Sequence, residues 1–275
     1  MPAVEQDSPR SSPGTSPAWD GGEAALERRV KLLALPIALG VCSLFAATQG
    51  GRFLLRLFCG MWVHEVGHAV TAWACGFLAF PGPWLTQVSD GRQPVFAALL
   101  SAALIALAVR SLVAGARGAA GAWLCLLALQ VACTHLISED RAQMLVVFGG
   151  DACCLWGGAL LMATVYAPEG SWVRRDWLRF GFLFIGAAAF TDVFSQWWAS
   201  QTDTDRIPFG ANEGQGLSDP SRLQETWQWS TGQLVGRYVW LGCACLLVLA
   251  VLYAWGVYGE RLPRRHLHHP KRTAG

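Results

Sequence analysis

Long apolar runs separated by short polar stretches dominate this chain. They cover residues 32–47, 53–80, 95–113, 121–137, 144–166, 180–199 and 234–258. Most are close to the ~20 residues that a helix needs to cross a bilayer core, where only helices and closed barrels satisfy their own backbone. The pattern predicts an all-α polytopic membrane protein with about six to seven transmembrane helices, six if the first run is only interfacial. No internal repeat is visible.

The polar stretches carry the rest of the organisation. Residues 1–24 are rich in Ser, Pro, Gly and acids with almost nothing apolar to bury, which predicts a disordered N-terminal tail. Too much chain precedes the run 32–47 for an ordinary cleaved signal peptide, so a retained membrane helix is expected there. Residues 25–259 then form one membrane-embedded domain. Its single long connection, 200–233, holds Asp203, Asp205, Glu213, Asp219 and Glu225 against Arg206 and Arg222, an extramembrane acidic loop. The stretches 110–117 and 168–179 are basic, as is the tail 260–275 with Arg261, Arg264, Arg265, Lys271 and Arg272. Lysine and arginine mark the cytoplasmic side, so the C-terminus is expected inside. Seven spans would put the N-terminus outside, in conflict with Arg28, Arg29 and Lys31. Trp84, Trp172, Trp177, Trp197 and Trp198 fall near the predicted helix ends, as interfacial belts do.

Composition narrows the class. Hydrophobic residues make up 53% and charged residues 15%, against roughly 25% charged in soluble domains, which excludes an ordinary water-soluble globule. The net charge of +2 is spread among loops and one tail, so no basic field points to nucleic acid. The nine cysteines lie in or beside apolar runs as small hydrophobes, and no CxxC pair is present.

Within the run 53–80 stands His64-Glu65-Val66-Gly67-His68, an HExxH pattern. On a helix the two histidines are four residues apart on one face, where neutral imidazoles can take two corners of a tetrahedral zinc site. Glu65 lies about a hundred degrees round, beside such a metal and not on it, which suits a general base for a metal-activated water. Three fixed positions arise by chance in soluble helices. Two histidines and a glutamate buried in an apolar run cost several kcal/mol unless partnered, and intramembrane ionisable groups mark function.

Through HEVGH in the run FCGMWVHEVGHAVTAWACG the chain resembles the site-2 protease family of intramembrane zinc metalloproteases. That segment carries the resemblance, and the remainder shares only a pattern of helices. The resemblance implies Zn2+ bound by His64 and His68, Glu65 as the catalytic residue, and a transmembrane protein as substrate. It also implies a third ligand, an aspartate on a later membrane helix, usually an Asp-Gly preceded by Asn and Pro. Here the corresponding feature is Gly149-Gly150-Asp151.

Glu65, Asp151 and Asp192 are the three acids inside the apolar runs. Asp151 stands beside the small residues Gly150, Cys154 and Gly158, spaced so that another helix can approach closely. It is the expected third ligand. Asp192, near Thr191 and Gln196, is the alternative ligand, a partner to a histidine, or part of a water path. His135, near a helix end, reads as interfacial, and His266, His268 and His269 belong to the basic tail, which faces solvent or lipid headgroups. In the acidic loop, Ser218-Asp219-Pro220 predicts the start of a short helix, and the loop's length makes it a candidate lid or substrate-docking element. The expected activity is zinc-dependent hydrolysis of a peptide bond within or next to the bilayer, with membrane lipid as surroundings. The competing readings are a non-proteolytic membrane protein with a structural metal site, and a metal or proton transporter relaying through Glu65, Asp151 and Asp192.

Overall fold

The computed structural model describes residues 17–212 and 216–258. The chain is an all-α polytopic membrane protein. Its elements are α1 (Pro17–Ala46), α2 (Gln49–Leu55), a π-helical turn (Arg56–Gly60), α3 (Met61–Ala74), β1 (Ala79–Pro81), β2 (Thr86–Val88), α4 (Pro94–Val113), α5 (Arg117–His135), α6 (Glu139–Ala163), α7 (Leu178–Ala199), β3 (Ala211–Asn212), β4 (Gly216–Leu217), α8 (Asp219–Trp227) and α9 (Thr231–Tyr258). Among the described residues six helices are long and apolar enough to cross a membrane: Gly22–Ala46, α4, α5, Glu139–Tyr166, α7 and α9.

Two boundaries differ from expectation. The tail predicted over 1–24 is helical from Pro17 onward. Alanines and leucine at 24–26 favour helix. Residues 1–16 and the basic tail with its three histidines lie outside the described residues. The run 53–80 is not one helix. It is broken by the π turn and stops at Ala74, because Gly76 turns with φ +83° and Phe77 folds under into a small core with Ala69 and Ala142.

Polar ties identify the two ends of the bundle. At one, Glu27 of α1 pairs with Arg174 (2.8 Å) and Arg179 (2.9 Å), and the Tyr166 and Tyr253 hydroxyls donate to the carbonyls of Lys31 and Leu32. At the other, the Thr134 hydroxyl donates to Ala74 O, the Arg92 guanidinium donates to Cys133 O and Ile137 O, and Trp227 Nε1 donates to Asp140 Oδ1. The start of α1 and the end of α9 are therefore at the same, arginine-rich end. The π turn explains this parity: Gly60 O accepts from Cys154 Sγ half-way along α6, so α3 begins at mid-height and rises only to the opposite end.

Helices α3, α6 and α7 form the buried centre. Glycines bring them together: a Cβ on Gly67 would meet the Gly149 carbonyl, and one on Gly158 would stand 2.9 Å from the Gly186 carbonyl. The stripe Gly150, Cys154 and Gly158 is thus a contact line, meeting in turn the two histidines, Gly60 and α7. The acidic loop folds over this centre through the hairpin β3–β4 and α8, with Ile207, Leu223 and Trp229 buried beneath it.

Candidate metal centre

His64 and His68 lie one turn apart on α3 and face α6 across Gly150. A Cβ there would fall 2.6 Å from His64 Cε1 and 2.6 Å from His68 Nε2, so the glycine makes the room the rings occupy. His68 Nδ1 is 2.7 Å from the Val146 carbonyl. A carbonyl oxygen only accepts, so that nitrogen carries the proton. His64 Nδ1 is 3.0 Å from Asp151 Oδ1 and donates to it in the same way. In each neutral ring the Nε2 lone pair is left facing inward.

Those lone pairs converge. The two Nε2 atoms are 3.0 Å apart, and Asp219 Oδ2 stands 3.1 Å from each. Three acceptors at this separation repel unless a proton or a metal cation lies among them. Tetrahedral zinc with bonds of 2.0–2.2 Å needs donor pairs about 3.3–3.5 Å apart, close to this triangle, and His2Asp is a usual ligand class. Among the described residues this is the one group of three metal-ligating side chains.

The carboxylates are arranged differently from the sequence expectation. Asp151 meets His64 at Nδ1, on the side of the ring away from the triangle, and its Oδ2 accepts from Trp197 Nε1 at 2.8 Å. It orients the His64 ring and does not reach the Nε2 triangle, a placement that carboxylates take behind metal-bound histidines. Asp192 does not face the Nε2 atoms either. It is buried beside Gly60, with Arg56 Nη1 3.9 Å away, and its oxygens have no hydrogen-bond partner among the described residues. Arg56 instead donates to Gln196 Oε1 at 3.2 Å. His135 is exposed at the end of α5.

Glu65 is buried on the neighbouring face of α3. The Thr86 hydroxyl stands 2.8 Å from both its Oε2 and its backbone carbonyl, which fixes the carboxylate from β2. The antiparallel hairpin β1–β2, closed by Gly82 N–H donating to Leu85 O, exists in this position to deliver that hydroxyl. A cavity of about 480 Å³ opens beside the histidines, Glu65 and Asp219, walled by Trp84, Leu85 and Pro220 among others.

Sequence reasoning missed Asp219, Thr86 and Trp197. Asp219 lies outside the apolar runs, among the five acids of the loop 200–233. Its visible signal was the Ser218-Asp219-Pro220 helix start, which holds: α8 begins there, with Ser218 at the N-cap and Asp219 in the first turn. Compared with protein-family models, with curated proteins and with solved structures, the chain matches none.

Proposed function

We propose that this protein is a zinc-dependent intramembrane peptidase, hydrolysing a peptide bond of a transmembrane protein within or next to the bilayer. The observation that carries the reading is the convergence of three lone-pair donors, from His64, His68 and Asp219, on the wall of a cavity that Glu65 also lines. Bound zinc would supply a Lewis acid for the scissile carbonyl and bring the pKa of a water toward ~7. His64, His68 and Asp219 hold the metal. Asp151 and the Val146 carbonyl keep both rings with their Nε2 atoms inward, and Trp197 steadies Asp151. Glu65, aimed by Thr86, accepts a proton as water oxygen adds to the carbonyl carbon, then delivers it to the amine as the C–N bond breaks.

The cavity favours hydrolysis over a purely structural metal, whose ligand sphere is normally closed. Lysine and arginine crowd the end that holds the start of α1 and the end of α9, so we assign that end, and with it the C-terminus, to the cytoplasmic side. The catalytic cavity then opens on the opposite side.

Purified protein loaded with zinc and incubated in detergent with a mixture of apolar peptides tests the reading. Wild-type protein should cut, and Glu65→Gln should retain zinc without cutting. Zinc-loaded wild-type protein that leaves the whole mixture intact overturns the assignment.

A further inference from the structure

A second cavity of about 480 Å³ lies between the first turns of α6 and α9, lined by none of the residues that line the cavity at the metal centre. Its base is apolar, formed by Met144, Leu145 and Phe148 of α6, and Gly236 leaves its α9 wall open: a Cβ there would meet nothing within 4 Å. At its rim the Arg237 guanidinium carbon lies over the Trp229 ring, 3.7 Å from the centroid. No carboxylate pairs with Arg237 among the described residues.

Arg237 is exposed on a membrane-spanning helix, where a bare cation is costly. Its depth offers a partner. Six residues past the start of α9, it lies about 9 Å below the helix end, and the 28 residues of α9 measure about 42 Å, the thickness of a bilayer with its headgroups. That puts its backbone just inside the ~30 Å hydrocarbon core, and the side chain reaches back to Trp229, ahead of the helix start, which raises the guanidinium to the level of lipid phosphates, with the apolar groove along α6 at the level of the chains. Trp229 braces its other face, so the guanidinium is held in place to receive a bidentate oxyanion.

We propose that this groove is a binding site for one glycerophospholipid, the phosphodiester held by Arg237 and an acyl chain lying in the channel floored by Phe148 and left open by Gly236. The site is independent of the peptidase reading.

Delipidated protein in detergent is mixed with phosphatidylglycerol, with diacylglycerol or with inorganic phosphate, and bound species are counted by native mass spectrometry. Wild-type protein should retain one phosphatidylglycerol at about fivefold higher occupancy than Arg237→Gln, the effect of one arginine at a headgroup. Gly236→Leu fills the channel while keeping the cation, gains helix propensity, and should lose the lipid as well. Diacylglycerol should be held weakly, and millimolar inorganic phosphate should not displace the phospholipid. Equal retention by wild type and both variants overturns the site. So does diacylglycerol binding as well as phosphatidylglycerol, since the headgroup would then be unread, and displacement by inorganic phosphate would make it a site for a free anion instead.

Discussion

At Asp219 and Asp151 a single atom decides the role. Both carboxylates touch His64, but Asp219 Oδ2 approaches Nε2 and Asp151 Oδ1 approaches Nδ1, so only the former shares a point with His68. Asp219→Asn should lower zinc affinity by at least about 10²-fold, and Asp151→Asn by about 10–100-fold, the usual effect of losing a group that orients a ligand. Competition against a zinc chelator measures both, and the reverse ranking would return Asp151 to the ligand set. Glu65→Gln should leave zinc affinity within a few-fold of wild type and reduce hydrolysis about 10²–10⁴-fold, the range of a general base. Loss of zinc as complete as in His64→Ala would make Glu65 a ligand.

Two elements are tuned to the site. Helix α6 contributes a gap: Gly150→Ala puts a methyl 2.6–2.7 Å from atoms of both imidazoles. Any gain in helix propensity is up to about 1 kcal/mol, whereas forced overpacking costs about 1–3 kcal/mol. The variant should melt at lower temperature and release zinc, and unchanged values for both would mean that the rings do not rest on Gly150. Helix α8 brings Asp219 to the two histidines from outside the bundle and is held down by the fully buried Leu223. Leu223→Ala removes a buried side chain worth about 2–5 kcal/mol and so undocks the helix. Zinc affinity should fall and protease cutting within 200–230 should rise, although no ligand has been altered. Full zinc affinity with a freely cut loop would show that Asp219 is dispensable.

Across the whole molecule the charge distribution and the path of the chain agree. The π turn starts α3 at mid-height, so α1 and α3 ascend in the same direction and the described chain begins and ends at one end of the bundle. This removes the conflict that a seven-span count creates for Arg28, Arg29 and Lys31, because they share an end with Arg174, Arg175 and Arg179. Epitope tags inserted at Glu169 and at Thr204 should be reached by antibody from opposite sides of the membrane, with the Glu169 tag cytoplasmic. Both tags on one side would disprove the topology.

The all-helical class, most of the spans and the pairing of His64 with His68 were legible from sequence. Each depends on local spacing: about 20 apolar residues for a span, four residues for two side chains on one helix face. The start of α8 was legible for the same reason, as Ser218, Asp219 and Pro220 are adjacent. The third donor was not, because it comes from a loop 151 residues beyond His68 whose approach depends on where Leu223, Ile207 and Trp229 are buried. Thr86 reaches Glu65 only because the chain reverses at Gly76 and again at Gly82. Asp151 faced the correct histidine, but which nitrogen it meets depends on how closely α3 and α6 approach, and the glycines at 67, 149 and 150 set that distance. Periodicity states which residues share a face of one helix; how the faces of different helices meet is decided by packing among them.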